Sequence, residues 1–155
     1  MKITLQPATE SDKPYLLSLR KKTMTEHLER QGIFLCHEAH ISRLEEHFQG
    51  SKIVFINRDK VGCLKYHASD ERLEIMQLQI APQHQNQGFG TAILRCLLTQ
   101  HAHTPAYLTV LKGNPAIRLY RHLGFNICFE DEFEYEMVLY GANCQPPLQR
   151  YLDSI

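Results

Sequence analysis

The stretch Gln85–Leu94, QNQGFGTAIL, sets two glycines one residue apart where an irregular polar segment passes into an apolar, helix-like run. Glycine has two uses at such a point: it adopts backbone angles closed to other residues, and it lets a ligand approach the main chain. A helix that begins here exposes N–H groups with no intrahelical partner. Its aligned peptide dipoles make that end partially positive, so anions settle there, phosphates above all. The stretch alone leaves two explanations open. Either glycine relieves strain in a tight strand-to-helix connection, or a diphosphate lies directly on bare amides.

Two familiar phosphate loops are excluded. A dinucleotide fingerprint needs a small residue where Ile93 stands and a carboxylate about twenty residues onward, where the chain reads LTVLK. A P-loop needs Lys-Ser or Lys-Thr after its last glycine, and Gly90 is followed by Thr91-Ala92.

Working outward, Lys2 to Gln6 alternates as a first strand, and Thr9 to Asp12 offers capping side chains before the apolar-periodic run of Leu16, Leu17 and Leu19. Two helices fill residues 11–49, with a break near Gln31-Gly32 and Gly50-Ser51 closing the second. KIVFIN and KVGCLKYH, joined by a turn at Arg58-Asp59, predict an antiparallel hairpin, and RLEIMQLQI a further strand ending at Ala81-Pro82. Ala92, Ile93, Cys96 and Leu97 recur at helical spacing after the glycines. AYLTVL follows as a buried strand. In GNPAIRLYRHLGF, Asn114 suits a helix N-cap, Pro115 the first helical position and Gly124 the C-terminal cap. FNICFED and FEYEMVLY predict a final hairpin. The order β-α-α-β-β-β-α-β-α-β-β, without an internal repeat or a long linker, implies a mixed sheet covered by helices.

At 155 residues the chain fits one domain, placed at 1–140, with a tail at 141–155. The tail, with Pro146-Pro147, either covers an edge strand or meets another subunit of a homodimer. Charged residues make up 22% and hydrophobic ones 43%, an ordinary globular balance. Seventeen basic side chains offset seventeen acidic ones, so no general field attracts nucleic acid or an anionic membrane. The one basic cluster, Arg20-Lys21-Lys22, is explained as a solvated helix face. No apolar run has signal-peptide character or bilayer length, and the expected location is cytoplasmic. The five cysteines are scattered without a Cys-x-x-Cys pair, which speaks against a disulfide framework or a zinc site. His37-x-x-His40 and His101-x-His103 have ligand-like spacing but lack a further cysteine or carboxylate, so no metal is expected.

Three motifs, in order, resemble the GNAT superfamily of acyl-CoA-dependent N-acetyltransferases. Gln85-Asn86-Gln87-Gly88-Phe89-Gly90 is similar to that family's coenzyme loop, Gln/Arg-x-x-Gly-x-Gly/Ala. Leu78-Gln79-Ile80-Ala81-Pro82 resembles the strand end before it. Asn114-Pro115-Ala116-Ile117-Arg118-Leu119-Tyr120, followed by Leu123-Gly124-Phe125, resembles its Asn…Ala-x-x-Leu-Tyr…Leu-Gly-Phe signature. The resemblance covers residues 74–125. It implies an α/β (α+β) GNAT-like domain whose mostly antiparallel sheet has about seven strands flanked by about four helices.

The resemblance further implies that acetyl-CoA is the acyl donor, transferred to a primary amine by direct attack in a ternary complex. Amides of Gln87, Gly88, Phe89, Gly90 and Thr91 would hold the pyrophosphate, with Gln85 and Asn86 in the same loop. Main-chain groups of Leu78 and Ile80, on either side of Gln79, would hold the pantetheine arm and thioester carbonyl, because the family's strand splays from the next there. Asn114 and Ala116 would contact the coenzyme, and Tyr120 would protonate or hydrogen-bond the sulfur. Tyr120 also shares a helical face with Ala116, Leu119 and Leu123, which suits a core tyrosine. The alternative is a GNAT-like module that binds acyl-CoA without chemistry.

Amide formation needs a neutral amine, a polarised carbonyl and a proton for the leaving thiolate. Glu74, six residues before Ile80, is the expected base, in a position that resembles the glutamate of the family's histone-acetylating branch. In a regular strand Glu74 shares a face with Met76, Leu78 and Ile80, unless a bulge alters the count. The acidic run Glu130, Asp131, Glu132, Glu134 and Glu136 alternates with Phe133, Tyr135 and Met137 as a solvated hairpin face.

Overall fold

The computed structural model describes residues 1–141; apart from Gly141, the expected tail 141–155 lies outside the described residues. Seven strands form one sheet: β1 (Ile3–Pro7), β2 (Ser51–Ile56), β3 (Asp59–Ala68), β4 (Leu73–Ile80), β5 (Ala106–Leu111), β6 (Asn126–Glu130) and β7 (Glu134–Leu139). Their spatial order is β1-β2-β3-β4-β5-β7-β6. All neighbours pair antiparallel except β4 and β5. Among the described residues four α-helices flank the sheet: α1 (Lys13–Arg30), α2 (His37–Glu45), α3 (Phe89–Gln100) and α4 (Ala116–His122). Among the described residues no helix is long and apolar enough to cross a membrane.

Strand alternation sorts the helices onto two faces. Ile53 and Cys63 point toward Leu16, Leu19 and Leu44 of α1 and α2. Their neighbours Val54 and Leu64 join Ile93, Leu94, Leu97 and Tyr120 of α3 and α4 in the larger core. The hairpin between β2 and β3 turns on Asn57 (φ 56°) and Arg58 (φ 101°), one residue earlier than the Arg58-Asp59 expected from sequence. Two positive φ values are what a two-residue hairpin turn requires, and asparagine tolerates the first of them.

The short helix α4 is fixed by its ends. Asn114 Oδ1 accepts from the Ala116 N–H at 2.9 Å. After the helix, Gly124 adopts φ 106°, the Gly124 N–H donates to Arg121 O and the Phe125 N–H donates to Tyr120 O at 3.0 Å. This double closure is a Schellman motif, and the expected contact across it is the edge-to-face pair of Tyr120 and Phe125, centroids 6.1 Å apart. Capping thereby anchors Tyr120 from both sides.

Lys65 of β3, 4% exposed, reaches under the end of α2 and donates to the carbonyls of Arg43 (3.4 Å), Leu44 (3.2 Å) and Glu46 (2.6 Å). A cation at a helix C-terminus satisfies carbonyls that lack intrahelical donors. Burial lowers the Lys65 pKa, partly offset by Cys63. Lys65→Met is expected to destabilise the domain by about 1–3 kcal/mol, because it leaves those carbonyls unpaired. Urea unfolding of the two proteins checks this, and equal midpoints would show that water replaces the ammonium without loss.

Candidate active site

Strands β4 and β5 run parallel and pair only over Leu73–Ile75 with Ala106–Leu108; beyond Ile75 they part. The same point carries a bulge against β3, where Lys65 pairs with Gln77 and Tyr66 with Ile75, so Met76 is the extra residue. The bulge reverses parity. Ile75 and Leu78 both contact the α3/α4 core, while Gln79 turns toward Cys63. Glu74 therefore does not share the Leu78 face, as the unbulged count would have it.

Parting the strands leaves main-chain groups without a strand partner. The Ala81 N–H bonds to Val61 O in β3, so alternation directs the groups of Leu78 and Ile80 away from β3 and into the gap. The Ile80 carbonyl takes the Gln85 side-chain amide at 2.9 Å, which ties the glycine loop to the strand end. That leaves the Leu78 peptide groups and the Ile80 N–H facing the gap.

The loop delivers the chain to α3 through two left-handed residues, Asn86 (φ 62°) and Gly88 (φ 79°). Gly88 is the N-cap, and among the described residues no side chain caps the helix. The first N–H groups of α3 thus have no partner among the described residues and point outward, as helix geometry requires. The two glycines do different work. A Cβ on Gly88 would meet nothing within 4 Å, so the space before the helix is open, whereas one on Gly90 would press Leu119 Cδ2 at 3.2 Å. Gly88 sets the turn and keeps the amides bare; Gly90 lets α3 pack against α4.

A cleft of about 380 Å³ runs from this loop along β4 to α4. Its walls include Leu78, Gln79, Ile80, Gln85, Asn86, Gly88, Phe89, Gly90, Thr91, Asn114, Ala116 and Tyr120. Of the site residues expected from sequence, only Gln87 and Glu74 are not on its walls. The Gln87 side chain turns back to Gln83 O. Glu74 lies in an adjoining pocket, ion-paired to Arg72 at 2.5 Å.

Past Met24, Leu78, Gln79, Asn114 and Tyr120 the cleft continues into an inner chamber between β4, β5, α1 and the β6–β7 hairpin. Tyr120 thus stands where the two cavities meet. It is 8% exposed, and burial pushes its phenol up to about 12. The hydroxyl therefore keeps its proton throughout the neutral range.

Glu134 lines the inner chamber, half-buried, with its pKa raised first by burial and then by Asp131, against an opposing pull from Arg43. This corrects the solvated hairpin face expected from the alternation: Glu134 and Glu136 are half-buried while Phe133 is 36% exposed. In β7 the consecutive residues Glu134, Tyr135 and Glu136 are all half-buried, so side chains of both faces are partly covered and the alternation alone does not tell inside from outside. Arg20 is corrected likewise. It is buried at 6% exposure beside Leu16 and Leu19 on the inner face of α1, and the i, i+4 spacing from Leu16 was the available signal. His27 of α1, not anticipated from sequence, lines the outer cleft with a buried Nδ1 that has no hydrogen-bond partner among the described residues.

The sequence profile of the acetyltransferase (GNAT) family matches residues 14–125, which span the helical wall, the sheet centre and both cleft helices. The chain belongs to the GNAT acetyltransferase family. Among solved structures it is similar to an acetyltransferase from Thermus thermophilus, at 19% identity and TM-score 0.71, covering 90% of this chain and 97% of the other. PaiA N-acetyltransferase from Thermoplasma acidophilum, in complex with coenzyme A, aligns at 15% identity and TM-score 0.68 over 90% and 99% of the two chains. Arabidopsis thaliana Naa50, in complex with the bisubstrate analogue CoA-Ac-MVNAL, aligns at 17% identity and TM-score 0.62 over 90% and 99%. These likenesses establish a shared fold. Among curated proteins, none matches the sequence.

Proposed function

We propose that the protein is an N-acetyltransferase that moves acetyl from acetyl-CoA to a primary amine by direct attack in a ternary complex. One observation carries this: the freed edge of β4, the uncapped start of α3 and the protonated Tyr120 meet in a single cleft that opens into a second chamber. Family membership supports it, as do the coenzyme complexes of PaiA and Naa50.

The residues divide the work. N–H groups from Gln87 to Thr91 bind the pyrophosphate, where the helix dipole favours negative charge. The outward peptide groups of Leu78 and Ile80 bind the pantetheine arm, and an N–H among them holds the thioester carbonyl oxygen as it gains charge. The amine nitrogen forms its bond to the carbonyl carbon while the carbon–sulfur bond breaks. Tyr120 gives its proton to the departing sulfur. A carboxylate takes the proton that the amine loses.

For that carboxylate the reading favours Glu134 over Glu74. Glu134 lines the chamber that Tyr120 borders, and burial raises its pKa, which makes its carboxylate a stronger base. The Glu74 carboxylate is engaged by Arg72 and lines the next pocket, which does not include Tyr120. A base works only when deprotonated, so kcat/KM falls as pH drops through its pKa. Glu134→Gln is expected to lower the rate by about 10²-fold and remove that acid limb, whereas Glu74→Gln keeps it. An acid limb that persists in Glu134→Gln and vanishes in Glu74→Gln would return the role to Glu74.

The activity itself is tested by incubating the protein with acetyl-CoA and a panel of primary amines while free thiol is measured. Amine-dependent release is expected. Coenzyme binding without release on any amine would favour a non-catalytic acyl-CoA-binding module instead.

A further inference from the structure

The chamber beyond Tyr120 holds more hydrogen-bond donors than the described residues satisfy. Arg20, 6% exposed, lines it and uses Nε to reach His40 Nδ1 at 3.2 Å. Among the described residues no carboxylate lies within ion-pairing distance of its guanidinium. Burial, and next the positive charge of Arg43, lower its pKa, against partial support from Cys63 and Glu46. Arg43 lines the same chamber. A second donor is also unspent. Gln79, 4% exposed, accepts from Cys63 Sγ through Oε1, and its buried Nε2 has no partner among the described residues.

Lys65 shows what a structural buried cation looks like in this protein, with its ammonium on backbone carbonyls. Arg20 is different. A guanidinium stays charged and carries five donors in a planar fork. Glu46, which lines a neighbouring pocket with Arg20 and Arg43, offsets its burial beside another cation only in part, and an anion bound at the fork would complete the site. That anion is not the coenzyme diphosphate, because Arg20 is absent from the walls of the outer cleft, where the uncapped start of α3 lies. The chamber measures about 420 Å³, the size of a small-molecule pocket, and its one lining carboxylate among the described residues is Glu134.

We propose that the acceptor is a small primary amine that also bears a carboxylate, with Arg20 and the Gln79 amide binding the carboxylate while the amine faces Glu134. The proposal rests on the acetyltransferase function above and names its substrate class. A planar carboxylate matches the arginine fork through two parallel charge-assisted hydrogen bonds, and Gln79 supplies a third donor.

The test uses the full chain and amines matched in pairs: γ-aminobutyrate with n-butylamine, lysine with cadaverine, and β-alanine with phosphoethanolamine. Acetyl-CoA binding is first measured alone by calorimetry. Absence of binding there overturns the acetyltransferase proposal itself. With coenzyme bound, kcat/KM is expected to be roughly tenfold or more higher for the carboxylated partner of each of the first two pairs. Equal or better use of n-butylamine and cadaverine overturns the carboxylate site while leaving the acetyltransferase standing. A preference for phosphoethanolamine over β-alanine overturns it in favour of a phosphate. In Arg20→Met the ratio within each pair falls toward one, and in Arg20→Lys, which keeps the charge and loses the fork, it falls part of the way. An unchanged ratio in Arg20→Met contradicts the proposal. Gln79→Leu gives the same readout should Arg20→Met fail to fold. If no amine is turned over, calorimetry on the CoA-loaded protein decides: binding of γ-aminobutyrate but not n-butylamine supports the site, and no binding of either overturns it.

Discussion

Tyr120→Phe is expected to transfer acetyl about a hundredfold more slowly than the wild type while binding acetyl-CoA about equally well. The substitution removes one hydroxyl and keeps the ring in its edge-to-face contact with Phe125, so the Schellman closure of α4 survives. No protein group takes that hydroxyl among the described residues, so its loss leaves no buried partner unpaired. What disappears is the proton. With its phenol pushed up to about 12, Tyr120 is an acid that stays loaded at neutral pH, and without it the sulfur must leave as a bare thiolate. Saturating thiol-release assays give kcat, and calorimetry gives the coenzyme affinity. Equal kcat in the two proteins would remove the acid role and leave Tyr120 as core packing.

The second large effect concerns Gly88, where two substitutions separate backbone strain from ligand access. At φ 79° a valine is in a region closed to β-branched residues, so Gly88→Val is expected to lose about 1–2 kcal/mol of stability together with coenzyme binding. Asparagine tolerates such angles, as Asn86 at φ 62° does in the same loop. Gly88→Asn is therefore expected to fold with nearly wild-type stability. Its side chain nevertheless enters the open space before α3, and acetyl-CoA affinity is expected to fall roughly tenfold or more. Thermal unfolding and calorimetry read the two quantities separately. Wild-type affinity in Gly88→Asn would mean that the glycine serves the turn alone.

Much of this was legible in the sequence because local chemistry and global fold agree. Gly124 closes α4 as expected, and Asn114 accepts from the Ala116 N–H although the helix begins one residue later than expected, at Ala116 with Pro115 at its N-cap; the strand runs alternate or stay apolar as buried strands do. The glycine pair located the α3 start for the same reason. What the sequence hid depends on partners far along the chain. The bulge at Met76 arises from β4 meeting β3, and it alone moves Glu74 off the Leu78 face. Arg20 reads as one of three adjacent basic residues; the i, i+4 spacing from Leu16 hints at its inner position, and the burial follows once α1 and α2 cover the Cys63 face of the sheet. Glu134 reads as half of an alternating pattern, and its shielding follows from β7 lying inside the sheet with the chamber beside it. Gly88 and Gly90 looked equivalent, and the Leu119 side chain is what tells them apart.

The central claim is that bare amides at the start of α3, with the freed edge of β4, make a coenzyme site. Calorimetric titration of the wild-type chain with acetyl-CoA tests it most directly. The account predicts saturable binding of one coenzyme per chain that weakens in Gly88→Asn. A titration without heat at any temperature tried, on protein shown to be folded, would contradict it.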